Sequence, residues 1–240
     1  MSITSIDRLV AARFLQQQSW FTHLSVEAQD KALRTMRTLR ARKGNVVIPA
    51  NEPADGWYAV LWGLVELQSA GGGSRTSYLA LSGGEWFGEG SVLQSAPRRY
   101  EVRALRDSEL LCLPRGLFHE LLATSIPFNR AVLQRMNQRV AQAMAVIDSD
   151  RRRSPEQRLA IYLSRHFWPG LRKLNLSQDE LAALAGMSRQ TANRTLRALH
   201  EKGLITLRHG RVESLDQQAL ECFAGVAPPH WLEAPALDAA

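Results

Sequence analysis

One segment constrains this chain more than any other: residues 177–204, "SQDELAALAGMSRQTANRTLRALHEKGL". Ser177 precedes Glu180 by three, the spacing at which a Ser hydroxyl and a Glu carboxylate satisfy each other's backbone N–H groups at a helix start. Gly186 ends that helix, "GMS" leaves a turn of three to four residues, and Ser188 caps a second helix that runs to Gly203. Leu181, Leu184 and Ala185 on the first helix and Ala192, Leu196 and Leu199 on the second recur at helical spacing, so each helix has one apolar face. Small residues, Ala182 and Ala185, let the two helices approach closely. The pattern predicts a helix-turn-helix, followed in "GLITLRHGRVE" by two strands around His209–Gly210 that form a wing.

The face left outward on the second helix carries Arg189, Gln190, Asn193, Arg194 and Arg197, with Thr191 near its start and Ser188 as the cap. Arg can bond O6 and N7 of guanine, and Gln can bond N6 and N7 of adenine. A helix N-terminus with a neighbouring hydroxyl suits a phosphate. Charge agrees with this chemistry. Residues 153–211 hold eleven Lys/Arg against four Asp/Glu, an excess that equals the net charge of the whole chain, +7. A positive field collected on one third of a chain points to a polyanionic partner, here double-stranded DNA.

Other classes find little support. The two cysteines, Cys112 and Cys222, are too few for a disulfide framework, a zinc ribbon or an iron–sulfur cluster. The N-terminus lacks the apolar core of a secretion signal, and no run approaches the ~18 apolar residues of a membrane span. A cytoplasmic, non-membrane protein is therefore expected. A metal enzyme on a cupin-like barrel needs clustered His and carboxylate ligands, and no His lies between Gly44 and Pro114. The chain is not expected to be an enzyme.

Residues 5–40 read as mainly helical, with Ser25 as an N-cap and Ala28, Ala32, Leu33 and Met36 on one side. From about 44 to 115, short β-rich pieces alternate with glycine breaks, the pattern of a sandwich or barrel. After Pro114 helix returns, first in "RGLFHELLATS" and then in a long segment. There Leu133, Met136, Val140, Ala143 and Ile147 step by three and four, a heptad seam suited to pairing two copies of the chain. Ser154, Pro155 and Gln157 announce a new helix and a domain boundary. The expected domains are 1–126 (helices and β-domain), 127–152 (dimerisation helix), 153–225 (winged helix-turn-helix) and 226–240 (irregular tail).

"GMSRQTANRTLRALHEKGLI" resembles the recognition unit of the cyclic-AMP receptor protein and fumarate–nitrate regulator (Crp/Fnr) family of bacterial transcription factors, and the resemblance covers about residues 20–215. It implies an α+β chain: an N-terminal β-roll (double-stranded β-helix) resembling cyclic-nucleotide-binding domains, a long dimerisation helix and a C-terminal winged helix-turn-helix. It implies a homodimer on a pseudopalindromic operator, with Arg189, Gln190 and Arg194 reading bases and RNA polymerase as a candidate further partner. Gln190 stands where Glu is common in the family, which implies a different operator core.

"GEWFGEGSVLQSAPRRYEVRAL" resembles the family's phosphate-binding cassette, in which Gly88, Glu89 and Arg98 would hold a cyclic nucleotide through its ribose hydroxyl and phosphate. The match has departures: Gly90 replaces a Leu, Arg99 replaces a small or hydroxyl residue, and Ala143 and Met144 stand where cyclic-AMP receptors carry hydroxyls toward adenine. Arg139 is retained and can pair with Glu89. Glu89 with Arg98 or Arg139 can equally form an ion pair without ligand. Cyclic AMP, another small effector and a ligand-free, constitutive regulator all remain open, as does a cyclic-nucleotide-binding adaptor without a DNA role, which the basic helix-turn-helix opposes. The N-terminal cysteine cluster of oxygen-sensing members is absent. His23, His119 and Cys112 could each offer an axial ligand to haem, although a scattered His is far more often ordinary surface or core.

Overall fold

The computed structural model describes residues 5–70, 77–152, 154–164, 176–208, 211–214 and 216–226. Internal contacts group residues 1–139 and 140–240 into two compact units.

The first unit opens with helices α1 (Ser5–Leu15), α2 (Ser19–Thr22) and α3 (Val26–Thr35). Ser25 caps α3, its hydroxyl accepting from Ala28 N at 3.2 Å. The helical reading of residues 5–40 fails after Thr35. Met36 turns extended (φ −62°, ψ 150°), and Arg37–Ala41 form strand β1. The reason is non-local: β1 pairs antiparallel with Ser108–Pro114, strand β8, from Arg37↔Cys112 to Ala41↔Ser108. Ladder bonds to a distant strand override a local helical pattern.

Seven further strands complete two antiparallel sheets: β2 (Val46–Ile48), β3 (Gly56–Trp62), β4 (Leu64–Ser69), β5 (Ser77–Ser82), β6 (Trp86–Phe87), β7 (Tyr100–Ala104) and β8. The orders are β1-β8-β3-β6 and β2-β7-β4-β5. β3 and β8 lack the alternation of a one-sided strand because both of their faces are covered. One face of this sheet, with Trp57, Ala59, Leu111 and Leu113, packs with Leu15, Trp20, Phe21 and Met36 of the N-terminal segment. Phe118 of α5 (Arg115–Thr124) and Phe128 at the start of α6 (Ile126–Arg152) close the same core. Its centre is aromatic: Trp57 stacks on Trp86 at 4.2 Å, and Trp20 meets Phe128 edge-on at 5.0 Å. Offset and edge arrangements of this kind add roughly 0.5–1.5 kcal/mol per pair beyond area burial.

α6 spans 27 residues. Phe128 and Val132 are buried, while Leu133, Met136, Val140 and Met144 are 64%, 37%, 57% and 66% exposed. Ala143 is exposed too, and the Ile147 side chain lies outside the described residues. Among the described residues no helix is long and apolar enough to cross a membrane.

In the second unit, α7 (Pro155–Leu163) begins with a full capping box from Ser154 and Gln157. α8 (Gln178–Leu184) and α9 (Arg189–Glu201) follow, with a sheet of order β10-β11-β9 made from β9 (Leu176–Ser177), β10 (Ile205–Arg208) and β11 (Arg211–Ser214). The wing turn, 209–210, lies outside the described residues, as does all of the expected tail except Val226. A last helix, α10 (Gln217–Ala224), is capped by Asp216 and packs on α7 through buried Leu220 and Ala224. The sequence reading does not identify it, although Asp216 and Gly225 bracket it as cap and stop.

Candidate nucleic-acid interface and effector pocket

α8 starts where Ser177 Oγ accepts from Glu180 N at 3.2 Å while Glu180 Oε2 accepts from Ser177 N at 2.7 Å. Met187 N then closes on Ala182 O at 3.0 Å, turning the chain into Ser188. Ser188 Oγ accepts from Thr191 N at 3.2 Å and meets Thr191 Oγ1 at 2.9 Å, so cap and Thr191 brace each other. Ala192, Thr195, Leu196 and Leu199 are buried on one face of α9. With the buried Leu181, Leu184 and Ala185 of α8, they hold the recognition helix by packing rather than by propensity.

Arg189, Gln190, Arg194 and Arg197 are all exposed. Asn193, expected outward, is only half-exposed, and its Oδ1 is buried without a partner among the described residues. An open groove of about 660 Å³ runs along Gln190, Asn193, Arg194 and Arg197. Arg189 meets Asp179 of α8 at 3.2 Å, with both side chains largely exposed. An exposed pair of this kind is worth ~0–1 kcal/mol, little enough to yield to a base or phosphate. Asp179 was not anticipated from sequence, since an acid in a first helical turn has an ordinary role there. The basic field reaches α7: Glu156's carboxyl is held below its usual value by its own backbone N–H and the Ser154 hydroxyl, helped by Lys202 and Arg194.

In the first unit, β6 leads through Gly88 into α4 (Glu89–Gln94), and the chain returns through Arg98 into β7. Gly88 has φ +95°, a conformation that strains any other residue, and an added Cβ would sit 3.2 Å from Arg98 Nη1, close enough that the guanidinium would have to shift. Arg98 is 1% exposed. Its Nη2 donates to Asp55 Oδ1 at 2.8 Å and to Gly56 O at 3.3 Å, and its guanidinium lies over the Tyr58 ring at 5.0 Å. Nη1 is buried with no partner among the described residues.

The ion pair envisaged between Glu89 and Arg98 is replaced by Asp55–Arg98. Glu89 is buried and accepts from Trp57 Nε1 at 3.2 Å. Arg139 meets Glu85 at 3.7 Å and donates to Trp86 O at 3.0 Å. Asp55 and Trp57 escaped sequence reading because they lie 43 and 32 residues from the groups they hold. Tyr100 joins this neighbourhood. Burial pushes its hydroxyl up to about 12, Glu89 adds to the rise, and Arg98 and Arg139 oppose it. Arg99 is exposed beside buried Arg98, and Ala143 and Met144 are exposed on α6. Burial pushes the Cys112 thiol up to about 11, and among the described residues no His/Cys/Asp/Glu group is arranged to hold a metal.

Residues 38–125 match the model of the cyclic nucleotide-binding domain, and residues 157–223 match that of the Crp-like helix-turn-helix domain. The chain is 33% identical to a cyclic AMP receptor protein of Thermus thermophilus over 208 residues, covering 85% of this chain and 95% of that one. It is 30% identical to the HTH-type transcriptional regulator Cmr of Mycobacterium tuberculosis, over 79% of this chain and 77% of the other. Its fold is similar to a solved Crp/Fnr-family transcriptional regulator of Thermus thermophilus, with a TM-score of 0.58 at 26% identity over 80% of this chain and 100% of the other. With a cyclic-nucleotide-binding domain ahead of a Crp-like helix-turn-helix, this chain belongs to the Crp/Fnr family of transcription regulators.

Proposed function

We propose that this regulator works as a homodimer that sets two copies of α9 into successive major grooves of a pseudopalindromic operator, ~34 Å apart. The observation that carries the reading is the exposed row Arg189, Gln190, Arg194 and Arg197 on a helix whose other face is fully buried. Arg189, Gln190 and Arg194 read base edges, while Arg197, Thr191 and the Ser188-capped N-terminus hold phosphates. Arg194→Ala weakens operator binding by about 1–3 kcal/mol and relaxes base preference at one position, measured by competitive gel shift against single-base operator variants. Equal loss on operator and random DNA would contradict base reading by Arg194.

The effector is a cyclic nucleotide, held by Gly88, Glu89 and Arg98. The residues fit its phosphate: Arg98 Nη1 is buried without a partner among the described residues and lies against Gly88 at the start of α4. A buried guanidinium N–H left unpaired is costly, and a phosphate oxygen supplies its acceptor. Binding shifts the dimer toward its DNA-competent state. Calorimetry with cyclic AMP and cyclic GMP, followed by gel shifts with and without nucleotide, tests this. No heat together with unchanged DNA affinity would leave a constitutive regulator.

A further inference from the structure

Glu89 opens α4 with its side chain buried, yet among the described residues it forms no ion pair. Its one hydrogen bond there comes from a neutral donor, Trp57 Nε1, which reaches Oε2 at 3.2 Å. Arg135 of α6 lies within the field of Glu89 but bonds Gln138 at 3.0 Å. Oε1 has no protein partner among the described residues. A carboxylate is acceptor-only, so this oxygen can take a donor from a ligand.

The indole that holds Oε2 is itself fixed. Trp57 on β3 is 1% exposed, stacks on Trp86 at 4.2 Å, and meets Phe118 and Phe128 edge-on at 5.7 and 5.6 Å. Trp86 is tied in turn, its Nε1 donating to Gln18 at 3.0 Å and its carbonyl accepting from Arg139. Packing this close leaves the ring little room to turn, so its N–H fixes one carboxylate oxygen and aims the other. A backbone carbonyl would satisfy a buried indole N–H equally well. Folding alone does not call for a carboxylate here.

We propose that Trp57 is a positioning residue of the effector site: its indole N–H holds Glu89 so that the other oxygen accepts from a ligand hydroxyl, which makes the site select a ribose over a 2′-deoxyribose cyclic nucleotide. This rests on the cyclic-nucleotide reading above and names the residue that sets sugar specificity within it. A 3′,5′-cyclic nucleotide has one free sugar hydroxyl, the 2′. A site built to bond a hydroxyl rejects the analogue that lacks it, because the acceptor is left without a donor.

Calorimetry on the full-length protein with cyclic AMP and 2′-deoxy cyclic AMP tests this. Wild type binds cyclic AMP about tenfold or more tightly than the deoxy analogue. Trp57→Phe keeps a ring in the core and removes the donor. The ratio then falls to about threefold or less, through weaker cyclic AMP with the deoxy analogue little changed. Phe118→Leu loosens the same core, leaves the donor in place and keeps the wild-type ratio. Should Trp57→Phe fail to fold, NMR of the wild type decides: the Trp57 indole N–H resonance moves more with cyclic AMP than with the deoxy analogue. A ratio near one in wild type, a ratio unchanged in Trp57→Phe, an equal loss in Phe118→Leu, or equal shifts of the indole resonance would overturn the inference and leave nucleotide binding standing. Heat from neither nucleotide would remove the cyclic-nucleotide reading, and the inference with it.

Discussion

Arg98 makes the heaviest demand on its surroundings of any residue in the first unit. Burying a guanidinium costs several kcal/mol unless charge and hydrogen bonds compensate. Asp55 supplies both, and it also accepts from Tyr58 Oη at 2.6 Å and pairs with Arg37. Burial alone raises the Asp55 carboxyl, but the hydrogen bonds from Tyr58 and Arg98 and the charges of Arg37 and Arg98 outweigh it and hold it below its ordinary value. Stability from this carboxylate is therefore fully present above the unfolded Asp value of ~3.9 and is lost as pH falls through the lower folded value. Asp55→Asn is accordingly less stable than wild type in urea at pH 6, and the gap narrows below about pH 3.9; a gap that persists unchanged to pH 3 would assign the effect elsewhere. Gly63 is a second constrained residue, at φ +101° with Asp107 O only 2.6 Å from where a Cβ would stand. Gly63→Ala combines left-handed strain with overpacking and destabilises the domain by about 3 kcal/mol, read from the urea midpoint.

At the scale of elements, α8 and α9 depend on their first turns. α8 has only seven residues and is too short to stand by propensity, so its reciprocal Ser177–Glu180 cap and its buried leucines define it. Ser177→Ala removes the cap and costs about 1 kcal/mol, seen as a lower midpoint in thermal unfolding. An unchanged midpoint would show that packing on α9 suffices. These elements were legible in the sequence because cap, turn and apolar stripe all lie within a few residues of one another. β1 was not: "RTLRA" becomes a strand only because β8, some seventy positions on, offers it a ladder.

At the scale of the whole molecule, the row Leu133, Met136, Val140 and Met144 leaves a single chain with an apolar stripe facing solvent on a 27-residue helix. Pairing two such stripes, as the heptad spacing suggests, is one way to form the homodimer proposed above. Wild-type protein then sediments as a dimer at micromolar concentration. The double variant Leu133→Glu/Val140→Glu becomes a monomer with an unchanged circular-dichroism spectrum and loses operator affinity; a variant that stays dimeric would move the interface elsewhere. The sequence by itself determined the helix-turn-helix, its caps and the location of its charge, since each rests on contacts within one or two helical turns. Only the tertiary structure decided that Asp55, not Glu89, neutralises Arg98, that Trp57 holds Glu89, and that three tryptophans meet beside Arg135. Those partners are tens of residues apart, and nothing local distinguishes an aspartate or an indole that will be drawn to a site from one that will remain ordinary surface or core.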